Sequence, residues 1–330
     1  MYTNSNKIKR IALLTSGGDA PGMNAAIRAI VRTGIYNNLE VVGIKNGFSG
    51  LLKKDFVEMK SNSVSKIISR GGTILKSARC KEFKLKETRE KAFANLREMG
   101  IDALIVNGGD GSFRGADLLS KEFGFPVIGI PCTIDNDIYG TDFTIGFDTA
   151  INTVIEAVDK IRDTAESHNI IFFVEVMGRD SGFIALYTSI ASGAEATLLP
   201  EVKTDIKQIC SYMEQERRAN KTSGIIIVAE GDKEGGATEI ARKVKEQLPE
   251  YETRVTILGH IQRGGNPSCK DRVLASILGH GAVTALLEGK QGVMVGMAHN
   301  RTVYTPLEET YLKHDQIDHN WIEVSKIISL

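Results

Sequence analysis

Asp110 lies inside Gly108-Gly109-Asp110-Gly111-Ser112, directly after the apolar run 103–106 and before Ala116, Leu118 and Leu119, the first apolar positions of a predicted helix. A strand, a glycine loop and a helix in that order present backbone N–H groups and a helix N-terminus to a phosphate. Glycine lets the backbone approach the anion closely and take positive φ. A carboxylate there would repel a bare phosphate. Asp110 therefore reads as a ligand of the Mg2+ that accompanies one, or else as the solvated Asp of a plain turn. Two further carboxylates, Asp135 and Asp137, follow the predicted strand 127–130. Residues two apart in extended chain face one side. The pair would then divide the work, one as general base and one as its metal or orienting partner. The alternative is an Asx-rich turn.

Basic groups recur beside similar loops. Residues 8–14 read as a strand ending in Thr15-Ser16-Gly17-Gly18-Asp19-Ala20-Pro21-Gly22-Met23-Asn24, and on the following helix Arg28 and Arg32 share a face. They form either an anion clamp or a solvated surface. Gly71-Gly72 opens a flexible turn that delivers Arg79, a phosphate contact or a bare turn residue. The strand 170–176 runs into Met177-Gly178-Arg179-Asp180-Ser181-Gly182, and the strand 224–229 ends at Glu230, which either accepts from sugar hydroxyls or is solvated. His260, with Arg254 and Arg263 nearby in sequence, reads as an anion pocket. Together these features imply a site for two phosphate-bearing molecules. There is no GxxxxGK[ST], and Gly109, Gly111 and Gly115 give GxGxxxG, one residue off the dinucleotide pattern. Phosphoryl transfer is preferred over hydride transfer.

The elements that must hold these groups alternate. Further helices are predicted at 86–99, at 148–166 with the stripe Ile151, Val154, Ile155, Val158 and Ile161, and at 236–248; a strand at 40–45 leads into a loop at 46–50. This is an α/β pattern with parallel sheets and sites at strand C-termini. At 330 residues there is room for about two domains. Lys+Arg and Asp+Glu are 41 each, so no net charge draws the chain to nucleic acid or membrane, and attraction for anions must be local. Cys80, Cys132, Cys210 and Cys269 lack metal-binding spacing. No run reaches membrane-spanning length and no signal-peptide core is legible, so a cytoplasmic location is expected.

The blocks TSGGDAPGMN (15–24), GGDGS (108–112), TIDND (133–137), EVMGR (175–179) and GHIQRGG (259–265) resemble, in order and spacing, those of bacterial-type ATP-dependent 6-phosphofructokinases. The resemblance implies two three-layer α/β/α Rossmann-like domains with mostly parallel sheets and an active site in the cleft between them. The larger ATP-binding domain would be 1–145 plus about 258–307, and the smaller sugar-phosphate domain about 146–257 plus 308–330. It implies transfer of the ATP γ-phosphoryl group to the 1-hydroxyl of fructose 6-phosphate, with Mg2+, in glycolysis. By position, Gly18, Arg79, Cys80, Gly109, Asp110, Gly111 and Ser112 would line the ATP site, with Asp110 on the metal. Asp135 would be the general base, flanked by Thr133 and Asp137, with Arg79 and Arg179 among the catalytic groups. Ile134, Met177, Gly178, Glu230, His260, Ile261, Gln262 and Arg263 would meet the sugar phosphate, and Arg254 would arrive from a neighbouring subunit of a homotetramer. Gly111 marks an ATP user, since pyrophosphate users usually carry Asp there and Lys at the position of Cys132.

Two departures stand out. The family pattern has an arginine for the sugar's 6-phosphate after residues 167–169, where this chain has Ile170. This leaves open a kinase for another sugar phosphate, or a weakly active or non-catalytic regulatory paralogue. In the effector pocket for ADP or phosphoenolpyruvate, Arg28, Arg32, Arg162, Gly193, Glu195 and Lys221 match, but Ala219, Thr222 and Ser223 replace basic groups, so altered allostery is expected. NAD-kinase-like enzymes also carry a GGDG loop, but the EVMGR and HIQRGG blocks argue against that class.

Overall fold

The computed structural model describes residues 8–218 and 223–329. Its strands in chain order are β1 (Arg10–Thr15), β2 (Glu40–Ile44), β3 (Phe56–Glu58), β4 (Ala103–Gly108), β5 (Val127–Thr133), β6 (Ile145–Gly146), β7 (Ile171–Val176), β8 (Ala196–Leu198), β9 (Gly224–Ala229), β10 (Thr253–Ile257), β11 (Val293–Ala298) and β12 (Arg301–Pro306). The helices are α1 (Met23–Tyr36), α2 (Gly47–Lys53), α3 (Lys86–Glu98), α4 (Asp110–Phe123), α5 (Phe147–His168), α6 (Phe183–Ser192), α7 (Ile206–Arg218), α8 (Ala237–Gln247), α9 (Cys269–Leu287), α10 (Glu309–Leu312) and α11 (His319–Ile328). No described helix is long and apolar enough to cross a membrane.

The chain divides into two compact units, each assembled from separate stretches. The first takes the described residues up to Thr133, then Ile138–Gly146 and Arg263–Asp315. Its sheet has the order β12-β11-β5-β4-β1-β2-β3, with β6 beside β5. The interior pairs are parallel, and antiparallel β3 and β12 close the two edges. The strands β1, β4 and β5 are almost wholly buried, which explains why they read as continuous apolar runs rather than alternating ones. From β1 the chain moves to β2 on one side and later returns to β4 on the other, so the order reverses between β1 and β4. That reversal is where open α/β sheets bind ligands.

The second unit takes Ile134–Asp137, Phe147–Gln262 and Gln316–Leu330. Its four strands run β10-β7-β9-β8, all parallel. Phe173, Ile226, Val228, Ile240 and Val244 belong to its core. Because the strands are parallel, the segments after β7, β9 and β10 leave from the same sheet edge.

These unit boundaries differ from the expected domain limits in detail. Residues 134–137 and 258–262 fall in the second unit, and 308–315 in the first. Three local expectations need correction. Residues 47–50, expected within a loop at 46–50, begin a helix that runs to Lys53, because Phe48 and Leu51, one turn apart, are buried as anchors. Gly50 suggested a loop, but its lack of a side chain serves packing: a Cβ there would lie 1.6 Å from the Lys45 carbonyl oxygen. The strand predicted to end at Ile130 continues to Thr133, and the chain then bends at Ile134 and Asp135, with Asn136 left-handed at φ 53°. Asp135 and Asp137 are therefore not placed on one side by strand alternation, since that stretch is not extended. Finally, α4 begins at Asp110, so most of the expected glycine loop is already its first turn.

Helices α1 and α9 meet closely in the first unit because Gly279 has no side chain. A Cβ there would fall 2.7 Å from Ala29 Cβ and 2.8 Å from the Ala26 carbonyl oxygen. Overpacking of this kind costs about 1–3 kcal/mol. Gly279→Ala is expected to lower unfolding stability by about that amount, read as a reduced urea midpoint at unchanged slope.

Candidate active site

In the first unit both glycine segments leave the neighbouring strands β1 and β4, where Thr15 stands opposite Asn107. The ladder continues one step further, the Ser16 N–H donating to the Asn107 carbonyl at 2.9 Å. Gly108 is required there, since a Cβ would lie 2.6 Å from Ser112 Oγ and 2.8 Å from the Ser16 carbonyl oxygen. Gly109 precedes α4 in extended conformation, and Asp110 is the first helical residue. A helix N-terminus carries partial positive charge, so the Asp110 carboxylate sits where the backbone favours it. A Cβ on Gly111 would meet nothing within 4 Å, which leaves open space beside the first turn. Ser112 is buried.

The strap carrying Arg79 is pinned rather than flexible. Asn24, 1% exposed, donates through Nδ2 to the carbonyls of Arg70 and Gly71, both at 3.1 Å, and accepts the Ile74 N–H at 2.8 Å. The Asn46 N–H donates to the Leu75 carbonyl at 2.8 Å, Thr15 Oγ1 to that of Lys76 at 2.8 Å, and Ser77 Oγ to that of Gly17 at 2.6 Å. The strap is thus fastened to the first glycine segment. Arg79 is exposed and Cys80 half-buried. Arg263 Nη1 approaches the Asp19 carbonyl at 3.4 Å, and a Cβ on Gly18 would fall 2.6 Å from the same nitrogen. Cys132 is buried at the end of β5; burial, and secondly the Asp271 carboxylate, push its thiol pKa far up, so it stays protonated.

In the second unit, the segments after β7, β9 and β10 are tied together by polar side chains. Gln262 is wholly buried; its Oε1 accepts the Met177 N–H at 3.2 Å and its Nε2 donates to the Gly259 carbonyl at 3.0 Å. Its amide is therefore engaged with backbone, not turned outward as a sugar contact would be. Glu230 Oε1 accepts the Arg179 N–H at 2.8 Å, which holds Arg179 at a left-handed φ of 57°. Glu175 Oε2 accepts the Ala237 N–H at the start of α8, at 2.8 Å. Arg179, His260 and Ile261 are exposed, Met177 and Asp135 are buried, Thr133 and Asp137 are intermediate, and Ile134 is fully buried. The single anion pocket expected from Arg254, His260 and Arg263 is not a feature of one unit. Arg263 belongs to the first, while Arg254 projects from β10 and pairs with Glu252 at 2.5 Å.

The residues matched to an effector pocket are also partly spent on backbone. Arg162 donates to the Ser192 and Gly193 carbonyls at 2.9 and 3.3 Å and pairs with Glu195 Oε1 at 3.3 Å. Glu195 Oε2 in turn accepts the Ile225 N–H at 2.5 Å. Arg28 is half-buried, and its pKa is lowered by burial and then by the neighbouring Arg32 charge. Lys221 lies outside the described residues. Sequence reasoning missed Asn24, Ser77 and Ser181 as structural fasteners. Asn24 alone carried a signal, as a polar residue beside the apolar stripe of a buried helix.

With two open α/β sheets and glycine segments at the strand reversal, the chain matches the family model described as phosphofructokinase over residues 10–286. It is 52% identical over 323 residues to ATP-dependent 6-phosphofructokinase 2 of Bacteroides thetaiotaomicron, covering 98% of this chain and 99% of that one. It is 51% identical over 323 residues to ATP-dependent 6-phosphofructokinase 1 of Thermus thermophilus, covering 98% and 100%. Among solved structures, phosphofructokinase from Saccharomyces cerevisiae superposes with a TM-score of 0.87 at 38% identity; 92% of this chain aligns, to 45% of the longer yeast chain. The chain belongs to the phosphofructokinase family.

The open space at Gly111 gives a direct test. Gly111→Asp is expected to fold normally, with an unchanged thermal midpoint. If Gly111 faces a nucleotide's phosphates, as the family resemblance implies, the added carboxylate weakens ATP binding by about tenfold or more. Isothermal calorimetry reads this, and unchanged affinity would contradict it.

Proposed function

We propose that the chain transfers the γ-phosphoryl group of ATP to the 1-hydroxyl of fructose 6-phosphate, as an ATP-dependent 6-phosphofructokinase of glycolysis. The observation that carries this reading is the near-full-length identity to enzymes named for that activity, with Asp110 and Asp135 both in place. In this reading Gly18, Cys80, Gly109, Gly111 and Ser112 surround the nucleotide, with the α4 N-terminus facing its phosphates. Asp110 suits a Mg2+ that arrives with ATP, since such an ion keeps several waters and takes one or two carboxylates besides the phosphates. When bound, the ion would neutralise charge on the phosphates.

Asp135 accepts the proton of the 1-hydroxyl as that oxygen attacks phosphorus, with Thr133 and Asp137 flanking it. Arg79, on its pinned strap, and Arg179 offset the negative charge of the transferring group, in chemistry dominated by positioning and electrostatics. Met177, Gly178, Glu230, His260, Ile261 and Arg263 form the sugar-phosphate side, Ile134 contributes backbone, and Arg254 enters from a neighbouring subunit of a homotetramer. Gln262 supports that side from within.

ADP release in a coupled assay with ATP, Mg2+ and a panel of sugar phosphates tests the activity. Asp135→Asn is expected to lower kcat by roughly 10²–10⁴-fold while the protein remains folded. Turnover close to wild type would remove Asp135 from the base role.

A second reading rests on Ile170, half-buried where the family pattern has arginine. Its backbone is fixed: the N–H donates to the Ala165 carbonyl at 3.0 Å and its carbonyl accepts the Gly224 N–H at 3.3 Å. The departure therefore lies in the side chain. A charge-assisted hydrogen bond to phosphate contributes roughly 1.5–3 kcal/mol, or about 10- to 100-fold in affinity. Ile170→Arg is expected to lower KM for fructose 6-phosphate by about that factor in steady-state kinetics. An unchanged KM would mean that Ile170 does not weaken the acceptor site. Effector control by ADP or phosphoenolpyruvate through Arg28, Arg32, Arg162, Gly193, Glu195 and Lys221 would be weaker than is usual in the family.

A further inference from the structure

The segment 134–137 carries the carboxylate assigned as proton acceptor, yet it belongs to no helix or strand. It bends at Ile134 and Asp135 and passes through the left-handed Asn136. Asp135 is 8% exposed, so its main chain lies inside the second unit rather than in solvent. Buried carbonyls require donors. One donor to the Asp135 carbonyl is a side chain: Ser181 Oγ, at 3.1 Å, from a serine that is itself 7% exposed.

Ser181 ends a loop that has little freedom. Its own N–H donates to the Gly178 carbonyl at 2.9 Å, closing a turn. Gly178 has φ 138°, and a Cβ there would lie 2.4 Å from the Ser181 carbonyl oxygen. Ahead of the turn Gln262 holds the Met177 N–H, and within it Glu230 holds the Arg179 N–H. Beside it, a Cβ on Gly231 would fall 1.9 Å from the Arg179 carbonyl oxygen. Loop 177–181 is thus fixed to the segment after β9 and to the turn after β10, and the hydroxyl at its end reaches the residue with the reactive carboxylate.

We propose that Ser181 is a positioning residue for Asp135, its hydroxyl joining the main chain of the proton acceptor to the loop that presents Arg179. The inference rests on the assignment of Asp135 as general base. Ser181 touches no substrate in this role. It fixes where the Asp135 backbone lies, and through it the carboxylate, relative to the groups that hold the sugar phosphate. Proton transfer at a reacting hydroxyl needs its acceptor within hydrogen-bond reach, and small misplacements of such groups reduce the rate without weakening binding.

The test uses full-length Ser181→Ala, Ser181→Thr and Asp135→Asn, together with the Ser181→Ala/Asp135→Asn double variant. Each is assayed for kcat and for KM of both substrates, with the folded fraction checked by circular dichroism and thermal melting. Expected for Ser181→Ala is a fall in kcat of about tenfold, with both KM values near wild type and the folded fraction unchanged. Ser181→Thr, which keeps the hydroxyl, should recover much of the lost kcat. In the double variant, loss of Ser181 should add nothing to the deficit of Asp135→Asn, because coupled sites are non-additive.

If Asp135→Asn is inactive but Ser181→Ala has wild-type kcat, the positioning role is overturned while the base assignment survives. The role is equally overturned if Ser181→Ala loses activity only in proportion to its folded fraction, or if the two losses multiply. Near-normal turnover by Asp135→Asn would instead refute the base assignment beneath it.

Discussion

The pairing of β1 with β4 is the constraint on which the first unit's candidate site depends. These two strands flank the point where strand order reverses, and their register sets Thr15 opposite Asn107. With that register fixed, both glycine segments emerge side by side, and the ladder itself reaches Ser16. Gly108 is glycine because the Ser112 side chain and the Ser16 carbonyl oxygen leave no room for a Cβ. Gly111, one turn on, is glycine beside open space. The two residues look alike in a motif, but a side chain is excluded at the first and sterically free at the second.

Polar side chains in the second unit show how many groups in a candidate site serve the backbone. Gln262, Glu230, Arg162 and Glu195 all hydrogen-bond to main-chain atoms. A buried donor or acceptor without a partner costs about 1–3 kcal/mol. Loops that must hold unusual conformations, such as Arg179 at positive φ, therefore recruit side chains to satisfy them. A residue can stand within a glycine-rich motif and spend its amide on backbone, as Gln262 does.

Much of the α/β alternation was legible because buried parallel strands are runs of Ile, Val, Leu and Ala, and because long helices such as α5 show a clear apolar stripe. The helix at 47–53 was hidden by glycines whose purpose is packing. The geometry at Asp135 was not legible, because one left-handed residue, Asn136, cancels the alternation that an extended strand would give. The two glycine segments after β1 and β4 could be found from type and spacing. Fasteners such as Ser77 and Ser181 could not, since their partners lie 60 and 46 positions away. Nothing local marks such a contact.

Neither unit is a continuous length of chain. The first requires Arg263–Asp315 and the second requires Gln316–Leu330. During synthesis, therefore, β5 must wait for β11, which follows more than a hundred residues later and pairs with it through Val293 opposite Ile128. Pairings so distant in sequence are slow to form and leave apolar strand edges uncovered in the meantime. The interleaving gives the nascent chain a long interval in which β5 is a sticky edge. That makes the emerging polypeptide, rather than the finished fold, the stage most exposed to aggregation and most in need of chaperone cover.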